Sequence, residues 1–147
     1  MSTYTAVVLG DPVAQGRPRF SRQGGFVKAY DPAKSRDYKS YVRLIASQNA
    51  PVTPVEGAIE FSLRIYRAIP KGMPKYKREA AKAGMLRPTI KPDVSNKPDV
   101  SNVLKGVEDA LKGVWYKDDS QIVGYGVLSK WYDERPRIEI TMRELDG

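Results

Sequence analysis

The pattern of apolar and polar positions is clearest from Gly57 to Ile69, where Ile59, Phe61, Leu63 and Ile65 alternate with Glu60, Ser62, Arg64 and Tyr66. Successive side chains of a strand point to opposite faces, so this stretch predicts a half-buried strand whose apolar face belongs to the core. Thr3 to Leu9 is β-branched and aromatic and predicts a second strand, stopped at Gly10-Asp11-Pro12. Two further strands are predicted at Gln121 to Tyr132 and Arg137 to Arg143. The intervening Asp133-Glu134-Arg135-Pro136 reads as a hairpin connection without the strongest two-residue turn chemistry.

Elsewhere the period lengthens to that of a helix. Asp31 before Pro32 supplies an N-cap and a proline at the first helical position, and Tyr38, Tyr41, Val42, Leu44 and Ile45 then recur at helical spacing up to Asn49-Ala50-Pro51. Leu104, Val107 and Leu111 line one side of a helix starting near Ser101, with Gly113 placed to end it. Lys71 to Arg87 is Lys-rich, weakly helical from Lys75 to Ala83, and reads as a surface insertion. Gln15 to Lys28 reads as a flexible basic loop, with Arg17, Arg19, Arg22 and Lys28 interleaved with Phe20, Phe26 and glycines. Such a run is either a solvated surface or a contact for nucleic acid.

Composition narrows the chemistry. The 147 residues suit one domain, spanning 1–147, and 25 Lys and Arg against 17 Asp and Glu give a formal charge of +8. That charge favours a polyanionic partner, nucleic acid first, over a merely soluble basic surface. With no cysteine and no histidine, disulfides, zinc-thiolate sites and imidazole bases are excluded. Any hydrolytic chemistry falls to carboxylates, lysine, tyrosine and metal-bound water. The apolar run at the N-terminus is too short for a secretory signal and no run suits a bilayer, so a cytoplasmic protein is expected.

The hexapeptide Lys-Pro-Asp-Val-Ser-Asn occurs twice in tandem, at Lys91 to Asn96 and Lys97 to Asn102. Six residues added to an extended segment preserve its two-residue alternation, whereas in a helix they would rotate everything downstream by about 240°. The duplication is therefore tolerable only ahead of the helix. On that helix Lys105 lies about 40° from Ser101 and Glu108 about 20° to the other side, so the three share a face. An ordinary surface pair of Lys105 with Asp109 or Glu108 is the plain alternative. Asp99 just before the helix and Asp118-Asp119 just after it add carboxylates, which a divalent cation could balance. Asp118-Asp119-Ser120 is also an acceptable turn in its own right.

The run Lys97-Pro98-Asp99-Val100-Ser101-Asn102, then Lys105, Glu108-Asp109-Ala110-Leu111, Gly113, Trp115 and Asp118-Asp119-Ser120-Gln121-Ile122 resembles the RusA family of Holliday-junction resolvases. Gly16-Arg17-Pro18-Arg19-Phe20 and Asp31-Pro32-Ala33-Lys34 resemble the N-terminal pattern of its phage and prophage branch, which suggests a phage or prophage origin. Only Lys71 to Arg87 lacks an obvious counterpart. The resemblance implies an α+β single domain, with a mixed four-stranded sheet packed against two main helices. It also implies a homodimeric endonuclease using Mg²⁺, or Mn²⁺ in its place, to cut four-way DNA junctions by paired symmetric nicks. By position, the first catalytic aspartate falls on Asp99, the lysine on Lys105 and the later aspartate on Asp119, with Asp118 beside it.

Ser101 stands where the family commonly has a second aspartate. Three readings compete: Glu108 supplies the missing carboxylate, Asp93 of the first copy does so, or the site binds metal poorly and the protein only binds branched DNA. The working set is Asp99, Lys105, Glu108 and Asp119 for catalysis, with Asp99, Glu108, Asp118 and Asp119 for metal. Arg17, Arg19, Phe20, Arg22 and Lys97 are the DNA-contact candidates. A metal-dependent nuclease acting on flaps or RNA is a further alternative.

Overall fold

The alternation from Gly57 onward becomes the spine of the molecule. In the computed structural model, which describes residues 2–14, 19–23, 26–30, 33–85 and 99–145, it forms strand β4 (Ile59–Ala68). Ile59, Phe61, Leu63 and Ile65 are wholly buried on one face of that strand, while Glu60, Ser62, Arg64 and Tyr66 stay half-exposed on the other. Strands β1 (Thr3–Leu9), β5 (Ile122–Asp133) and β6 (Arg137–Glu144) join it in a four-stranded sheet of order β1-β6-β4-β5. The same face continues through Ala6 and Val8 of β1 and Ile138, Ile140 and Met142 of β6.

Helices α1 (Ala33–Ser47) and α3 (Val100–Leu111) close that face with Val42, Ala46, Val103, Val107, Ala110 and Leu111. Trp115 and Tyr116 lock the chain just after α3. The Trp115 indole donates to the Ala46 carbonyl at 2.9 Å, and Tyr116 meets Phe61 edge to face. Burying two large aromatics here leaves the exit of α3 little freedom. Gly113, predicted to end this helix, has φ +83° and donates its N–H to the Tyr116 carbonyl at 2.7 Å, a backbone state that favours glycine. The fold is therefore mixed α+β, as expected.

The predicted hairpin between the last two strands does not form. β5 and β6 both pair with β4, β6 antiparallel and β5 parallel, so β4 is inserted between them. The alternating strand buries four large side chains on one face and gains a ladder on both edges only if it is central. Asp133 to Pro136 therefore serves as a passage across the end of β4, with Gly10 donating to the Pro136 carbonyl at 3.0 Å. The basic loop predicted from Gln15 to Lys28 is also corrected: its described part forms the antiparallel pair β2 (Arg19–Gln23) and β3 (Phe26–Tyr30). Helix α2 (Lys75–Lys82) fills the weakly helical part of the Lys-rich segment, and Ala81 is its buried anchor. Among the described residues no helix is long and apolar enough to cross a membrane.

Candidate active site

Helix α3 buries Val103, Gly106, Val107, Ala110 and Leu111, which turns Ser101, Lys105 and Glu108 outward along one ridge. The shared face expected from helical geometry is thus realised. Glu108 lies deepest of the three. The Tyr125 hydroxyl of β5 donates to its Oε1, and the Tyr116 hydroxyl donates to its backbone carbonyl at 2.6 Å. Burial raises the Glu108 carboxyl above its ordinary value, and repulsion from Asp119 and Asp109 acts in the same direction. The Tyr125 hydrogen bond and the Lys105 ammonium oppose that rise. Tyr125 is in turn pushed up to about 12, by burial first and by Glu108 second. Asp109 points the other way, to Lys39 of α1 at 3.7 Å.

Asp118 and Asp119 are neighbours with different tasks. Asp118 is the N-cap of a 3-10 turn (Asp119–Gln121), accepting from the Ser120 N–H at 3.2 Å, while Gln121 Oε1 accepts from the Asp118 N–H at 2.8 Å. Its carboxylate also pairs with Lys112 at 3.0 Å. The Ser120 hydrogen bonds and the Lys112 partner lower Asp118 to about 2. This carboxylate holds the turn, which is the structural use its sequence context allowed. Asp119 is exposed and lies close enough to Glu108 to repel it.

Asp99 sits at the other end. It is the N-cap of α3 but makes no capping hydrogen bond, and Asn102 approaches it at 3.4 Å. A rise of 1.5 Å per residue separates its position from that of Glu108 by about 13 Å along the axis. Its acid–base neighbour is Lys130 of β5, whose ammonium is depressed mainly by burial, with Arg67 adding repulsion and Asp99 opposing the shift. Among the described residues no three acidic side chains converge on one point. The ridge therefore carries Glu108 toward one end, with Asp119 of the following turn in electrostatic range, and Asp99 at the other.

A solvent-facing ridge with a lysine between carboxylates, on a helix covering a mixed sheet, gains its meaning from comparison. Residues 10–143 match the family model described as Endodeoxyribonuclease RusA. The chain belongs to the RusA endodeoxyribonuclease family. A relative in Bacillus subtilis (strain 168), "Uncharacterized protein YqaN", is 49% identical over 149 residues, with 100% of both chains covered. RusA resolvases act on junction DNA and are generally dependent on a divalent metal. The residues present fit such an ion as an open site: Glu108 and Asp119 are two mutually repelling carboxylates, and Mg²⁺ is commonly held by one or two carboxylates completed by waters and substrate phosphates.

Of the other sequence candidates, Arg19, Phe20 and Arg22 stand on β2. Arg17 and Lys97 lie outside the described residues, as does Asp93 with the first copy of the hexapeptide. Two residues were missed by sequence reasoning. Tyr125 and Lys130 were read only as members of a strand. The signal for Tyr125 was available in Gly124-Tyr125-Gly126, since glycines inside a strand mark a bulge or a close approach. The register of β4 and β5 does shift there, and a Cβ on Gly126 would meet Ser62 Oγ at 2.6 Å. Lys130 carried no such local mark, because its pairing depends on α3 lying across β5.

Proposed function

We propose that this protein is a divalent-metal-dependent, structure-selective endonuclease that resolves four-way DNA junctions by paired symmetric nicks. The observation that carries the reading is the α3 ridge, where exposed Lys105 and half-buried Glu108 share a face and Asp119 lies in electrostatic range of Glu108, within a chain of the RusA family. Glu108 and Asp119 would hold the cation. A bound Mg²⁺ supplies neutralisation of phosphate charge and acidifies water. Lys105 binds a non-bridging oxygen of the scissile phosphate, and Tyr125 holds Glu108 in one rotamer through its hydrogen bond. Hydrolysis forms a bond from water oxygen to phosphorus, breaks the bond to the 3′ oxygen and places a proton on that oxygen, leaving a 5′-phosphate and a 3′-hydroxyl. Lys130, near Asp99 at the start of the ridge, offers a cation to the strand about 13 Å away along the helix.

Symmetric nicking requires two active sites related by a two-fold axis, so the proposed functional unit is a homodimer on the junction. A second reading is favoured by one specific observation, the helical rise of about 13 Å between Asp99 and Glu108: a protein that binds branched DNA without cutting it. A strand-by-strand nicking assay on a four-way junction, with and without Mg²⁺, separates the two. The parent should nick opposing strands only with metal, and Asp119→Asn should lower nicking by about 100-fold or more with junction binding retained. Nicking by Asp119→Asn at the parent's rate would sink the metal-pair assignment. Binding without nicking in either Mg²⁺ or Mn²⁺ would leave the second reading standing.

A further inference from the structure

The Lys-rich segment has no part in the chemistry described above, yet it is built into the fold. From Lys71 to Lys82 the chain carries Lys71, Lys75, Lys77, Arg78 and Lys82 with Glu79 as the one acidic residue. A solvated charge run would have no reason to dock. Here α2 packs on β5 through the buried Ala81, and Arg78 turns inward, its Nη2 donating to the Lys71 carbonyl at 2.6 Å. Arg78 thereby ties the start of the segment to its helix, with Nε buried and without a hydrogen-bond partner. Lys71, Lys75 and Lys82 remain exposed.

Three clefts of about 300, 350 and 460 Å³ adjoin at this end of the sheet, sharing Lys82 between two of them and Lys71 between another two. Of the acids near them, Glu134 pairs with Lys82 at 3.2 Å and Asp133 with Arg137 at 3.3 Å, while exposed Asp11 lines the cleft of about 460 Å³. Arg67 lines the largest cleft and lies in electrostatic range of Lys130, which faces Asp99. Arg67 shares that cleft with Lys71. Lys75 and Lys82 fall within about 20° of each other on the helix and about 10 Å apart along it, roughly three base-pair steps of a duplex strand.

We propose that α2 and the adjoining ends of β4 and β5 form a second DNA-contact surface, which grips the phosphate backbone of a duplex arm leading away from the candidate active site. This rests on the junction-nuclease reading and adds to it where the arm is held. Backbone cations contribute affinity that depends on salt and carries no sequence or branch information. The surface should therefore act equally on a junction arm and on linear duplex.

The test is a triple variant, Lys71→Gln, Lys75→Gln and Lys82→Gln, beside a charge-preserving triple Lys→Arg variant at the same positions. Binding to a four-way junction and to linear duplex is measured across a salt series, and nicking is measured at saturating junction. The Gln variant should bind both DNAs about tenfold or more weakly at low salt, with a log–log salt slope shallower by roughly 3. Its nicking rate at saturation should match the parent's, and the Arg variant should behave as the parent. Affinity within about twofold of the parent with an unchanged slope overturns the proposal while leaving the nuclease reading intact. So does a loss confined to the saturated nicking rate. A parent that neither binds nor nicks junctions overturns both.

Discussion

At the residue scale, two carboxylates near one site carry opposite signatures in pH. Glu108 is raised by burial, so its folded pKa exceeds the unfolded one and its ionisation costs stability. That cost is absent below the ordinary value of 4.5 and grows as pH rises through the folded value. Glu108→Gln, which keeps an acceptor for Tyr125, should melt at or above the parent at pH 7, and the difference should fade below about pH 4.5. It should also nick junctions at a small fraction of the parent rate. A lower melting temperature together with full activity would mark Glu108 as structural. Asp118 runs the other way. Its folded value of about 2 lies below the ordinary 3.8, so its stabilising effect is present above about pH 4 and is lost as pH falls toward 2. Asp118→Ala should melt below the parent at pH 7 and converge with it near pH 2, as followed by circular dichroism. The sequence named both carboxylates as metal candidates and could not separate them. Only the neighbours Ser120, Lys112 and Tyr125 distinguish a carboxylate spent on a turn from one held at the ridge.

At the scale of elements, the edge strand β5 brings Tyr125 to Glu108 and Lys130 toward Asp99, so its seating on β4 sets the site. That seating depends on Gly126, whose missing side chain lets Ser62 Oγ accept from the Val127 N–H at 3.0 Å. A Cβ there would stand 2.6 Å from Ser62 Oγ and 3.0 Å from Glu60 Oε1. Gly126→Ala should therefore cost about 1–3 kcal/mol in urea unfolding, from overpacking together with the lost hydrogen bond. Ser62→Ala in the same chain should recover part of it, and a fully additive pair would show that the contact is not the cause. The bounds of β1, β4 and α3 and the end of α1 were legible because period acts over a few residues, while the N-cap expected at Asp31-Pro32 lies outside the described residues. The pairing of β5 was not: a hairpin and a crossover offer the same alternation, and the choice fell to β4, which buries its apolar face best at the centre of the sheet.

At the scale of the whole molecule, the +8 charge indicated a polyanion, and the described fold gathers Lys71, Lys75, Arg78 and Lys82 at the α2 end of the sheet. If two copies act on one junction, sedimentation with DNA should give a two-to-one complex, and both nicks should appear within the lifetime of one binding event. A single copy producing both nicks would remove the dimer from the proposal. The sequence alone determined the periods, the helix ends, the absence of histidine and thiol chemistry, and the run of Asp99, Lys105, Glu108 and Asp119 in the order typical of the family. Each of these is local, or is a matter of composition. Tertiary structure decided the strand order, the capture of Glu108 by Tyr125 and the approach of Lys130 to Asp99. Those depend on which segments, far apart in the chain, pack against one helix, and burial and charge act through space rather than along the sequence.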